Sequence, residues 1–139
     1  MKKTITVSLS LLLILMLCFT ACNTVDAEGL WEDATYRRDM TFGKGEKTIE
    51  VEVKVEDESV TFTINTDEKY LADAMLEHEL IEGDEGEFGL YVKKVNGIKA
   101  DYDTDKAWWG LYKDGEMTLA GASYTEIADG DHYEFVYSK

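Results

Sequence analysis

The thiols and imidazoles of this 139-residue chain, the side chains most often used for nucleophilic catalysis near neutral pH, are Cys18 and Cys22 and His78 and His132. A catalytic thiolate needs a base within hydrogen-bond reach and a third group to orient that base. Both cysteines lie in the first 22 residues, and no nucleophile–histidine–acid motif links them to either histidine. We therefore expect no enzyme. The sharpest acidic cluster is Asp101, Asp103 and Asp105, spaced like the first oxygen ligands of a calcium loop. That loop needs Gly at its sixth position and a bidentate Glu at its twelfth. Lys106 and Tyr112 stand there instead. No resident metal is expected, Asp101, Asp103 and Asp105 remaining weak candidates for extracellular calcium against the alternative of a solvated acidic loop.

The aromatic residues have more to offer. Trp108, Trp109 and Tyr112 fall within five residues of one strand-like segment. Alternation puts Trp108 and Tyr112 on one face with Gly110 between them, and Trp109 and Leu111 on the other. A Trp and a Tyr flanking a Gly make a shelf with a notch, suited to a planar ring or a sugar. The alternative is that both faces are covered by other elements and the aromatics are core.

Lys2 and Lys3 precede an apolar run from Ile5 to Phe19. At 15 residues the run is shorter than the roughly 20 needed to span a bilayer, and it reads as a secretory signal. The segment Phe19-Thr20-Ala21-Cys22 resembles a bacterial lipobox, in which small residues precede a cysteine that becomes the lipidated N-terminus. Residues 1–21 are then a lipoprotein signal peptide, 22–29 the lipidated Cys22 with a short tether, and 30–139 one domain. This places the protein outside the cytoplasm, anchored to the cell membrane by lipid at Cys22. More than one acyl chain at Cys22 suffices for stable attachment.

The chain has 29 acidic and 14 basic residues, for a net charge of −15. Losing Lys2 and Lys3 with the leader takes this to −17. Phosphate backbones need basic patches, so nucleic acid is excluded as a partner. With 45% hydrophobic and 12% aromatic residues the chain can bury a core.

The elements that must position the aromatics follow from periodicity. Ile49, Val51, Val53 and Val55 alternate with charged residues, and Val60, Phe62 and Ile64 alternate with threonines, predicting a strand pair. Leu71, Ala74, Met75 and His78 fit one helix face, with Thr66 as N-cap and Gly83 closing the segment. Further strands are expected at Gly89 to Val95, Ile98 to Tyr102, Ala107 to Lys113, Glu116 to Ala120 and His132 to Tyr137. Asn96-Gly97 and Asp114-Gly115 are tight hairpin signals. Residues 30–47 supply an edge segment, since Leu30, Trp31, Tyr36 and Phe42 need burial. The predicted class is α+β: a mostly antiparallel sheet with one helix.

Phe88-Gly89-Leu90-Tyr91-Val92, Val95-Asn96-Gly97-Ile98, Trp108-Trp109 and Gly121-Ala122-Ser123-Tyr124 occur in an order that resembles the C-terminal β-domain of transcobalamin and intrinsic factor, and the bacterial lipoprotein domains similar to it. The resemblance implies a small β-grasp-like fold and a face that covers one side of a corrinoid. By that resemblance the contacts come from Phe88, Gly89, Leu90, Tyr91 and Val92, and from a stretch running from Trp109 through Gly110, Leu111 and Tyr112 toward Met117, with Trp108 beside it. The carriers hold cobalamin against a large helical domain for which this chain has no room. The expectation is a lipid-anchored ligand-binding protein with cobalamin or another corrinoid as ligand, no cofactor being required, and an importer as partner. The alternative is a cell-envelope module that docks on a protein or glycan.

Overall fold

A computed structural model of the protein describes residues 29–139; the leader, Cys18 and Cys22 lie outside the described residues. Nine strands form two sheets. In chain order they are β1 (Met40–Phe42), β2 (Lys47–Val55), β3 (Glu58–Thr66), β4 (Ile81–Gly86), β5 (Gly89–Val95), β6 (Ile98–Lys99), β7 (Trp108–Lys113), β8 (Glu116–Met117) and β9 (His132–Ser138). Two short helices, α1 (Leu71–Leu76) and α2 (Tyr102–Asp105), and two 3₁₀ turns (Gly29–Asp33 and Ala122–Tyr124) complete the described fold. The larger sheet runs β1-β3-β2-β9-β7-β8 and the smaller β4-β5-β6.

The alternating segments form the predicted β2–β3 hairpin, Ile49 opposite Ile64 and Val53 opposite Val60. Their apolar residues are almost wholly buried. β9 lies beside β2 in parallel, bringing the last strand to the middle of the larger sheet, where Tyr133 and Phe135 add to the core. The edge segment expected from residues 30–47 includes β1, which pairs in parallel with β3. Both predicted tight turns form, with positive φ at Asn96 and Gly97 and again at Asp114 and Gly115. That is the type I′ signature, whose twist matches the flanking strands.

The architecture corrects the expected α+β, β-grasp-like domain: it is mostly β, with two sheets and only short helical pieces. The single long helix is replaced by six residues, α1, preceded by extended Tyr70. Thr66 ends β3, and its hydroxyl accepts from the Glu68 N–H at 3.0 Å, capping a turn instead of a helix. Glu79 takes a left-handed φ of 56° and stops helical winding. Gly83 does not close a helix; it sits in β4, at a register shift where the missing Cβ lets the Tyr91 carbonyl approach. Ile98 to Tyr102 also splits, into two residues of β6 and the start of α2.

The turn Asp129-Gly130-Asp131 fastens β9 to β2. The Gly130 N–H donates to Thr48 O at 2.8 Å, and the Glu50 N–H to Asp131 O at 2.9 Å. Asp131 Oδ2 accepts from the Tyr133 hydroxyl at 2.7 Å and the Ala128 N–H at 2.9 Å, and lies 3.3 Å from Lys113 Nζ. Partial burial works to raise the Asp131 pKa, but these three donors outweigh it and hold the carboxyl below its ordinary value. Burial and the neighbouring Asp131 push the Tyr133 phenol up. A carboxyl depressed in the folded state contributes stability that is present above the unfolded pKa and lost as pH falls through the folded one. Asp131→Asn is expected to cost about 1–2 kcal/mol at pH 7. In urea titrations, that difference from the parent should shrink below about pH 4. An equal difference at pH 7 and pH 3 would place its origin outside the carboxylate's charge.

Candidate functional site

β7 carries the aromatic group and lies between β9 and β8, with Trp109 opposite Tyr137 and Leu111 opposite Phe135. Its inner face belongs to the core. Trp109 is 7% exposed, its indole N–H donates to the Ile98 carbonyl at 3.1 Å, and its ring meets Tyr137 edge-on at 5.5 Å. Trp108 points the other way at 38% exposure, edge-on to Tyr102 at 6.4 Å. The notch expected between Trp108 and Tyr112 is filled. A Cβ on Gly110 would come within 2.9 Å of Tyr112 Cε2, so that ring lies across the glycine.

Opposite β7 stands β5, held by the 3₁₀ turn Ala122–Tyr124. The Leu90 N–H donates to Ser123 Oγ at 2.9 Å. Gly89, at φ +84°, leaves room for that serine, since a Cβ there would meet Ser123 Cβ at 2.7 Å. Between β5 and β7 the two sheets leave a cleft of about 160 Å³, lined by Leu90, Tyr91, Val92, Trp108, Trp109, Leu111, Gly121, Ala122 and Phe135. Tyr91, Trp108 and Gly121 are its exposed members. The lining holds no carboxylate, imidazole, thiol or ammonium, so what it offers is apolar contact, ring stacking and backbone dipoles.

Six of the residues expected at a ligand face therefore meet here: Leu90, Tyr91, Val92, Trp108, Trp109 and Leu111. Five do not line the cleft. Phe88 stands at the β4–β5 hairpin tip, 84% exposed, and Met117 is exposed in β8 opposite Tyr112. Gly89 makes room for Ser123, while Gly110 and Tyr112 cover one another. Gly121, Ala122 and Phe135 were missed as site residues. Phe135 shares the apolar alternation of Tyr133 and Tyr137, the one signal that could have marked it.

The acidic triplet is drawn apart into structural work. Asp101 Oδ1 accepts from the Asp103 N–H at 3.0 Å and the Thr104 N–H at 3.4 Å, capping α2. The Thr104 N–H bond is the foremost cause of its lowered pKa. Asp103 and Asp105 are exposed in that single turn. Among the described residues, the acids and histidine whose ligand atoms do converge are Glu52, His132 and Glu134. His78 stacks on Phe42 at 5.4 Å.

Residues 69–139 match the family described as "Domain of unknown function (DUF4430)", and the chain belongs to it. No curated protein matches the chain. Among solved structures it is similar to a "putative metal binding protein" from Ruminococcus gnavus ATCC 29149, at 35% identity and a TM-score of 0.64, covering 68% of this chain and 98% of that one. It is also similar to haptocorrin in complex with Cbi, at 20% identity and a TM-score of 0.55, covering 70% of this chain and 26% of that one. The second likeness shows a shared fold with a transcobalamin-family protein at a distance.

The adjacent tryptophans should separate cleanly in stability. Trp109→Ala removes a buried ring and its hydrogen bond and is expected to cost about 3–5 kcal/mol. Trp108→Ala removes a half-exposed ring and should cost roughly 1 kcal/mol or less. Urea unfolding followed by circular dichroism measures both, and equal losses would contradict the assignment of faces.

Proposed function

We propose that this chain is an extracytoplasmic ligand-binding protein, held to a membrane by lipid at Cys22, whose inter-sheet cleft takes one edge or face of a large flat ring, cobalamin or another corrinoid. The observation that carries the reading is the convergence of β5 and β7 on one uncharged cleft rimmed by two exposed aromatics, Tyr91 and Trp108. The fold shared with haptocorrin and the description of the Ruminococcus gnavus relative support a ligand-binding role in the broad sense.

Size refines the reading. Pockets that engulf a drug-sized ligand have volumes of roughly 300–1,000 Å³. At about 160 Å³ this cleft seats only part of a corrinoid. The uncovered part would face solvent or a second surface, such as a membrane importer. Affinity would rest on stacking against Trp108 and Tyr91 and on apolar burial along Leu90 and Val92. The ligand would be cargo; no catalytic cofactor is invoked, and an uncharged lining suits binding better than catalysis.

A second reading rests on other residues. Phe88, Leu119 and Tyr124 are 84%, 107% and 59% exposed, and exposed apolar side chains are what a docking surface would use. In that reading the domain docks on another envelope protein or a glycan and holds no small ligand.

Calorimetric titration of the full chain in detergent with cobalamin tests the first reading. Saturable binding is expected with Kd in the micromolar range. Trp108→Ala and Tyr91→Ala should each weaken it about tenfold, on the scale of one lost stacking contact. No saturable heat at tens of micromolar rules out unaided corrinoid binding and leaves the docking reading, which pull-down from solubilised membranes would test.

A further inference from the structure

β2 and β9 lie side by side in the middle of the larger sheet, with Glu50 opposite His132 and Glu52 opposite Glu134. Val51, Val53, Tyr133 and Phe135 point into the core. Alternation therefore puts Glu50, Glu52, His132 and Glu134 together on the outer face. One ligand atom each from Glu52, His132 and Glu134 lies within 4.8 Å of the others, and all three residues are only partly exposed.

The imidazole is held in a specific way. Its Nδ1 lies 3.3 Å from Glu50 Oε2, and its Nε2 lies 3.5 Å from Glu52 Oε2. The tautomer that donates Nδ1–H to Glu50 turns the Nε2 lone pair toward the Glu52 carboxylate. In that tautomer a bridging cation, a metal ion or a proton, satisfies both lone-pair atoms at that distance. The separation is also what a tetrahedral ion demands: metal–ligand bonds of about 2.1 Å set neighbouring donors roughly 3.4 Å apart. A carboxylate behind a metal-binding histidine is the usual way in which its ring is oriented and its basicity raised. Lys54 already supplies one positive charge here, its Nζ 3.1 Å from Glu134 Oε2 and 3.8 Å from Glu52 Oε2. An ion entering the cluster would displace that ammonium.

We propose that Glu52, His132 and Glu134 form a site for a divalent first-row transition-metal ion such as zinc, with Glu50 orienting His132 and Lys54 as the internal competitor. One imidazole and two carboxylates suit this class of ion better than calcium, which takes six to eight oxygens. The net charge of the chain raises the local concentration of any cation near this face.

Calorimetric titration of the full chain with zinc chloride tests the site, with Cys18→Ser and Cys22→Ser in every sample so that no thiolate competes. One ion per chain is expected. His132→Ala and Glu134→Gln should each weaken binding at least about tenfold. Lys54→Met should tighten it by roughly thirtyfold, the scale of removing a unit charge about 4 Å from a divalent ion in water. Circular dichroism verifies that each variant is folded, and Glu134→Gln keeps the side-chain shape if His132→Ala does not fold. Absence of saturable binding up to about 100 μM, on the weak side of transition-metal sites, would overturn the proposal. So would parent-like binding in Glu134→Gln, or unchanged affinity in Lys54→Met.

Discussion

The indole N–H of Trp109 reaches the Ile98 carbonyl across the gap between the two sheets, and the position of the cleft depends on that bond. Trp109 belongs to β7 of the larger sheet and Ile98 to β6 of the smaller. Ala100, just after β6, and Ala107, just before β7, are both buried. A buried N–H without a partner costs about 1–3 kcal/mol, so the bond is required as much as it is favourable. Further along β5 and β7, no side-chain hydrogen bond joins the two strands among the described residues. There Leu90 and Val92 face Leu111 and Phe135, with open space between them. The Ser123 hydroxyl on the Leu90 N–H sets the outer limit by tying β5 to the 3₁₀ turn that carries Ala122.

Much of the scaffold was legible because it follows from local rules. Asn-Gly and Asp-Gly turns need two successive positive φ values, which these residues tolerate, and alternation in β2, β3 and β9 needs only a core on one side. The helix was overdrawn because its face pattern runs on through His78 while winding stops by Glu79, and because a local signal can be outranked by a contact with a distant strand. Gly83 illustrates this: read locally it is a helix terminator, but its missing Cβ serves the approach of the Tyr91 carbonyl from the next strand. Asn96 shows the same limit from the other side. Its turn conformation was predictable. Its side chain, however, is buried and exchanges hydrogen bonds of 2.9 and 2.8 Å with the Tyr36 backbone, 60 residues away.

The candidate site was half legible for a related reason. A period of two sorts Trp108 from Trp109 but is symmetric about which face is the core. Only the neighbouring strand decides, through the pairing of Trp109 with Tyr137 and Leu111 with Phe135. The resemblance named both stretches that meet in the cleft, yet it also brought in Phe88 and Met117, which lie on exposed hairpin segments away from the lining. The shelf expected at Gly110 fails because the glycine's open space is taken by the tyrosine two residues on, a contact that alternation makes available but does not announce.

β9 divides its two faces between the uncharged cleft and the acidic cluster on the outer side of the sheet. Its odd-numbered residues Tyr133 and Phe135 face inward, where Phe135 becomes part of the cleft wall; His132 and Glu134 face outward beside Glu50 and Glu52. A slip of one residue in the β2–β9 pairing would carry the carboxylates into the core and the aromatics into water. The Asp131 carboxylate opposes that slip at the first residue before the strand, accepting from Tyr133 on one side and from the Ala128 backbone on the other. The strand can thus serve an uncharged cleft on one face and a cation-attracting cluster on the other, and the same register constraint maintains both.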